Sequence, residues 1–119
     1  MIVLCFATVR EMEASLAPLA APPRLGRGTS AQAELPGLGR AHVLVTGISP
    51  VNAALSLGLF LGRHPEATGA LNLGVAGSFD LDILPLGAVA LPVRETWPEV
   101  GLHAGDEVDP RGIEIGRAS

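Results

Sequence analysis

Leu71-Asn72-Leu73-Gly74-Val75-Ala76-Gly77-Ser78-Phe79-Asp80 is the stretch on which the reading of this chain turns. Ala70, Leu71 and Leu73 form an apolar run that predicts a buried strand of a parallel sheet. It opens directly into Gly74-Val75-Ala76-Gly77, a turn with almost no side-chain bulk. In an open α/β sheet, ligands sit beyond the carboxyl ends of the strands. Glycine there provides unusual backbone angles and bare N–H groups that can hold an anion or a polar ring. A tight strand-to-loop turn without a ligand explains the same residues equally well. A second glycine turn upstream and an acidic pair near the N-terminus shift the balance toward a site.

Upstream, Ile2 to Ala7 is apolar on both faces, as a central parallel strand requires. Thr8 follows with Glu11 three residues on, the spacing of a capping box, and Met12, Leu16 and Leu19 give the ensuing helix an apolar stripe. The plain role of Glu11 is that of cap partner, and the plain role of Glu13 is a solvated helix charge. A carboxylate just past the end of the first strand nevertheless stands where α/β enzymes place a catalytic group. Ala20 to Ser30, rich in Pro, Gly and Ala, predicts a loop. Ala31–Leu35, the turn Pro36-Gly37-Leu38-Gly39 and the strand Ala41–Thr46 predict a β-hairpin, with His42 as an ordinary surface or edge residue.

The second glycine turn is Thr46-Gly47-Ile48-Ser49-Pro50. Ser49 can cap a helix whose first residue is Pro50. That helix is expected to run to about Gly62, and its nearly all-round apolar surface predicts burial or packing on a partner subunit. Backbone N–H groups at its start can face a ligand. Beyond Asp80, the turn Leu84-Pro85-Leu86-Gly87 leads to a further expected strand, Ala88–Val93. Gly101–Ser119 is polar, Gly-rich and acidic, and is expected to be a surface loop or tail.

Composition narrows the function. The 119 residues are enough for one domain with a real core, and an aromatic share of only 3% makes that core aliphatic. Net charge is −4 and the eight positive side chains are all Arg, scattered rather than clustered, which argues against a nucleic-acid surface. Cys5 lies within the first apolar run and reads as a small buried hydrophobe. One Cys and three scattered His suggest no metal cluster. The N-terminal run is too short for a signal peptide, and no segment approaches the length of a membrane-spanning helix. A cytoplasmic location is expected.

Four linked motifs, in order, carry a resemblance. They are the first strand with Thr8…Glu11-Met12-Glu13; Val45-Thr46-Gly47-Ile48-Ser49-Pro50-Val51-Asn52-Ala53-Ala54; Asn72-Leu73-Gly74-Val75-Ala76-Gly77-Ser78-Phe79; and Leu84-Pro85-Leu86-Gly87-Ala88-Val89. Together they resemble the nucleoside phosphorylase and nucleosidase family. Pro50-Val51-Asn52 and the Gly74–Phe79 turn look most like the futalosine hydrolase branch, which serves menaquinone biosynthesis. The match covers residues 1–100 and leaves 101–119 as a tail.

The resemblance implies an α/β fold of three layers, a mixed, mostly parallel sheet flanked by helices. It implies a purine nucleosidase that hydrolyses the N-glycosidic bond of futalosine and releases hypoxanthine, without cofactor or metal. Glu11 matches the glutamate that orients and deprotonates the attacking water, with Glu13 the weaker candidate. Gly74, Val75, Ala76 and Gly77 match the turn lining the ribose and base pocket. Gly47 and Ile48 match the turn beside the phosphate site of the phosphorylase relatives. Val75 offers no hydroxyl to phosphate, which favours water as nucleophile. The expected partners are a small purine nucleoside and further copies of the chain, in a homo-oligomer joined through the Val51–Leu61 region, with neither nucleic acid nor membrane.

This chain departs from the family pattern in one respect. The family's domain is about twice as long, and its second half carries the glutamate that grips the ribose hydroxyls and the aspartate that protonates the purine. No acidic residue between Asp80 and Glu114 matches either role. Two alternatives therefore stand beside the nucleosidase. One is an inactive half-domain that needs a second chain. The other is a Rossmann-like nucleotide-binding module, although no Gly-x-Gly-x-x-Gly follows the first strand.

Overall fold

The computed structural model describes residues 1–94, 102–105 and 107–109. They fall into two compact units, Met1–Gly77 and Ser78–Ser119.

The first unit is a small α/β domain with two helices and a four-stranded, mixed and mostly parallel sheet. Its strands are β1 (Ile2–Phe6), β2 (Ser30–Leu35), β3 (Gly39–Val45) and β4 (Gly69–Leu73), in the order β2-β3-β1-β4. β1 runs parallel to both β3 and β4, with Phe6 opposite Val45 on one side and Leu73 on the other. β2 and β3 form the expected antiparallel hairpin, with Ala33 opposite Ala41.

The alternation of side chains along β1 and β3 sends one set to each face of the sheet. Leu4, Phe6, Val43 and Val45 form one buried cluster with Met12 and Leu16 of α1 (Val9–Leu16). Val3, Cys5 and Leu44 form another with Phe60 of α2 (Pro50–Arg63). Apolar residues on both faces of β1 thus meet a helix on each side.

Both helix starts follow from local sequence. Thr8 caps α1: its hydroxyl accepts from the Glu11 N–H at 3.2 Å, and the Glu11 carboxylate accepts from the Thr8 N–H at 3.0 Å. That reciprocal pair is a complete capping box. Ser49 caps α2, with Pro50 in its first turn, where the missing N–H costs nothing.

Three expectations are corrected. β4 forms, but as an edge strand rather than a buried one: it pairs with β1 alone, and only Leu73 is partly covered. Central places go to β1 and β3, whose residues from Val3 to Phe6 and from Ala41 to Val45 are buried. Of the two alternatives for α2, burial within the unit does not hold, since Phe60 is its one buried residue. Finally, Ala88–Val93 in the second unit forms no strand, and Val89, Leu91 and Val93 are exposed. An apolar run becomes a strand only where a neighbouring backbone takes its hydrogen bonds, and Pro92 lacks a donor.

In the described residues of the second unit, a turn is set at Asp80. The Asp80 carboxylate accepts from the N–H groups of Asp82 and Ile83, and the Leu84 N–H donates to the Asp80 carbonyl. Within the segment expected to be a tail lies a short antiparallel hairpin, β5 (Leu102–Ala104) with β6 (Glu107–Asp109). Among the described residues no helix is long and apolar enough to cross a membrane.

The capping box gives a direct test. Thr8→Ala removes the side-chain acceptor for the first turn of α1 and is expected to lower stability by about 1 kcal/mol. Thr8→Ser keeps the acceptor and should stay close to the wild type, both measured by urea unfolding.

Candidate active site

The carboxyl ends of β1 and β3 lie side by side, yet the chain leaves them toward opposite faces. After β1 it enters α1 on one face, and after β3 it enters α2 on the other. Such a divergence opens a crevice between adjacent parallel strands, where open α/β sheets bind their ligands. A cavity of about 230 Å³ occupies that place, lined among others by Ala7, Thr8, Arg27, Gly47, Ile48 and Asn52.

Beside it the two strands are tied together at Thr46. The Thr46 N–H donates to the Phe6 carbonyl at 2.8 Å, its hydroxyl lies 3.2 Å from the same oxygen, and the Ser56 hydroxyl donates to the Thr46 carbonyl at 2.9 Å. One wall is the turn Gly47-Ile48-Ser49. Gly47 has φ +93°, which an L side chain rarely adopts, and Ser49 takes φ 94° and ψ 150° despite its Cβ. The Asn52 amide holds the turn by donating to the Ile48 carbonyl at 2.6 Å. Ile48 itself is exposed.

Arg27 stands against this turn. A Cβ on Gly47 would meet the Arg27 Cδ at 3.1 Å, so a side chain here would also press the Arg27 stem aside, in addition to the strain of φ. Among the described residues no carboxylate forms an ion pair with Arg27. Sequence reasoning missed this residue because it lies in a Pro/Gly-rich loop 20 residues before Gly47. The flanking Gly26 and Gly28 were the available signal of a backbone bent to deliver it.

Glu11 is held from two directions. One carboxylate oxygen, Oε2, accepts from the Thr8 N–H at 3.0 Å and the Thr8 hydroxyl at 2.7 Å. The other, Oε1, accepts from the Val75 N–H at 3.3 Å and would lie 3.1 Å from a Cβ placed on Gly74. The Thr8 hydroxyl first, and then the Val75 N–H, hold the Glu11 carboxyl below the usual range for a glutamate. It is therefore a carboxylate at neutral pH, with lone pairs left for a water or a sugar hydroxyl.

The fold thus brings Glu11 to Gly74 and Val75, and it places Gly47 and Ile48 beside Thr8 in the cavity wall. Ala76 and Gly77 are not gathered in: both are exposed, and neither lines the cavity nor bonds Glu11. Glu13 lies apart, against Ala20–Arg24.

At the other end of the strands, the expectation of scattered histidines and of a surface His42 is overturned. His42 is buried, at 2% exposure, with its Nε2 3.1 Å from the Glu66 Oε1. His64, the C-cap of α2, places its Nδ1 3.0 Å from the same oxygen. Glu66's own backbone N–H, and then His64, hold its carboxyl below the usual range. His42 shares the side-chain period of Leu44 and so faces α2. A helix of 14 residues is about as long as a seven-residue strand, which brings the end of α2 back to the start of β3.

Comparisons with known protein families, with curated proteins and with solved structures returned no match.

Two predictions follow from this geometry. Ser49→Ala loses the cap while keeping the strained backbone, and should cost about 1 kcal/mol. Ser49→Gly relieves strain of about 1–3 kcal/mol and should be at least as stable as the wild type in urea unfolding. The lowered carboxyl of Glu11 means that the native state binds its proton less readily than the unfolded chain does. Its contribution is therefore full above the ordinary glutamate range, near pH 4.3 in the unfolded chain, and is lost as pH falls through the lower native value. The stability difference between the wild type and Glu11→Gln should shrink as pH falls below the ordinary glutamate range.

Proposed function

We propose that this chain carries the water-activating half of a purine nucleosidase. It would hydrolyse the N-glycosidic bond of futalosine to release hypoxanthine. The observation that supports this most is the placement of the Glu11 carboxylate against Gly74 and the Val75 N–H, past the carboxyl ends of β1 and β4. On this reading the fold is the first part of a three-layer, nucleoside phosphorylase-like domain.

The chemistry fits the carboxylate's state. Loss of the purine leaves an oxocarbenium-like sugar, which a fixed negative charge stabilises and which even a weakly activated water attacks readily. A carboxyl held ionised by Thr8 and Val75 can orient that water through Oε1 without first losing a proton. The glycine at 74 leaves room beside Oε1 for the reacting atoms. The purine-protonating acid and the ribose clamp of the family would come from outside the residues matched here, from a second chain or a further segment. The apolar row Val51, Leu55 and Leu59 on α2, each more than half exposed, supports assembly with further copies.

One observation favours a second reading, a nucleotide-binding module. Arg27 stands against Gly47 near the N-terminus of α2, and a helix start with a neighbouring guanidinium stabilises a phosphate group. Calorimetry with adenosine and AMP separates the two, since the module requires the phosphate for binding.

Hydrolysis is tested by following purine release from futalosine, methylthioadenosine and inosine, with and without phosphate. With the complementary half present, the expected result is phosphate-independent hypoxanthine release from futalosine, lowered at least 100-fold in Glu11→Gln. Gly74→Ala should also lower turnover while leaving stability nearly unchanged, because its Cβ displaces the Glu11 carboxylate by a few tenths of an ångström. Release that depends on phosphate, or full turnover in Glu11→Gln, would overturn the assignment.

A further inference from the structure

The cluster at the amino ends of the strands has a donor set that the crevice chemistry does not use. We propose that His42, His64 and Glu66 bind one first-row divalent transition-metal ion of the zinc class, through Nε2 of His42, Nδ1 of His64 and a carboxylate oxygen of Glu66.

The argument is geometric. The three ligand atoms all lie within 4.8 Å of one another, and the two imidazole nitrogens stand 3.0 and 3.1 Å from a single oxygen, Glu66 Oε1. An ion about 2.0–2.2 Å from each donor needs them roughly 3–4 Å apart, so small side-chain rotations suffice. Two imidazole nitrogens with one carboxylate select zinc-like ions over magnesium or calcium, which prefer oxygen alone.

The rings are also held in place. His42 is buried, His64 stacks on Phe60 with ring centroids 4.3 Å apart, and Phe60 meets the edge of His42 at 5.0 Å. Ligands already oriented by packing lose little freedom when the ion arrives. The C-terminus of α2, where His64 is the cap, adds the partial negative charge of the last carbonyls. The Met1 amino group bonds the Glu66 backbone carbonyl at 3.1 Å and leaves the carboxylate free for the ion. An adjoining cavity of about 180 Å³, which His64 and Arg63 help to line, gives water access to the remaining coordination positions.

From His42 to Gly47 the strand spans roughly 17 Å, too far for an ion here to touch a substrate in the crevice. Its role is structural: it fastens the end of α2 to the middle of β3, with Glu66 in the turn that leads to β4.

The test is a titration of the metal-stripped 119-residue chain with Co²⁺, read by its visible absorption, with Zn²⁺ and Mg²⁺ as competitors. We expect one ion per chain, displaced by Zn²⁺ and not by Mg²⁺, and a higher thermal midpoint with Zn²⁺. His64→Gln and Glu66→Gln, both on accessible residues, should each weaken binding at least tenfold while circular dichroism shows the fold retained. The absence of a saturable 1:1 complex, equal competition by Mg²⁺, or wild-type affinity in both His64→Gln and Glu66→Gln would overturn the proposal and leave a hydrogen-bonded His–Glu–His cluster.

Discussion

The first unit depends on the parallel pairing of β1 with β3. Both are central strands with a partner on each side, and the inner residues of β1 are buried on both faces. Each buried backbone group must be hydrogen-bonded, so two neighbouring strands and two covering helices are needed to enclose it. The pairing continues past the end of β3, where the Thr46 N–H still donates to the Phe6 carbonyl. Everything at the carboxyl end then follows from where the chain can go next. It turns to one face at Thr8 and to the other at Gly47, and the crevice is the space left between those departures.

That arrangement makes structural and chemical roles share residues. Glu11 completes the capping box of α1, and the bond that does so leaves its other oxygen at Val75. The same bonds keep the carboxyl ionised. Ser49 caps α2 at the cost of a backbone angle that suits glycine. Backbone strain of this kind persists where surrounding bonds over-determine it, and here the Asn52 amide and the Ser49 carbonyl supply them. The opposite end of the sheet carries a separate cluster in which a buried histidine, an aromatic ring and a helix end are packed together. The two ends have different chemistry because parallel strands present different termini to each: helix starts at one, a helix end at the other.

Much of this was legible in the residues. The strand at Ile2, the capping box at Thr8, the hairpin, the Ser49-Pro50 helix start and the strand before Gly74 all rest on signals spanning a few residues. Such signals are local because caps, turns and alternation are set by neighbouring backbone groups. Among the candidate site residues, Glu11, Gly47, Ile48, Gly74 and Val75 stand at the ends of predicted elements, and the fold brings them to the carboxyl side of the sheet. Ala76 and Gly77 share the same glycine turn, but a turn's sequence does not say which of its residues face inward.

What the sequence by itself determined is the kind and order of elements and the aliphatic core, since these follow from hydrophobic period and cap chemistry. Tertiary structure alone decided the rest. The strand order made β4 an edge despite its apolar run, and Ala88–Val93 found no pairing that would make it a strand. Arg27 reached Gly47 across 20 residues, and His42 met His64 across 22. Periodicity tells which face a side chain occupies but carries no information about which distant segment will lie against that face. That is fixed only when the strands take their order and each helix lies back along its own strand.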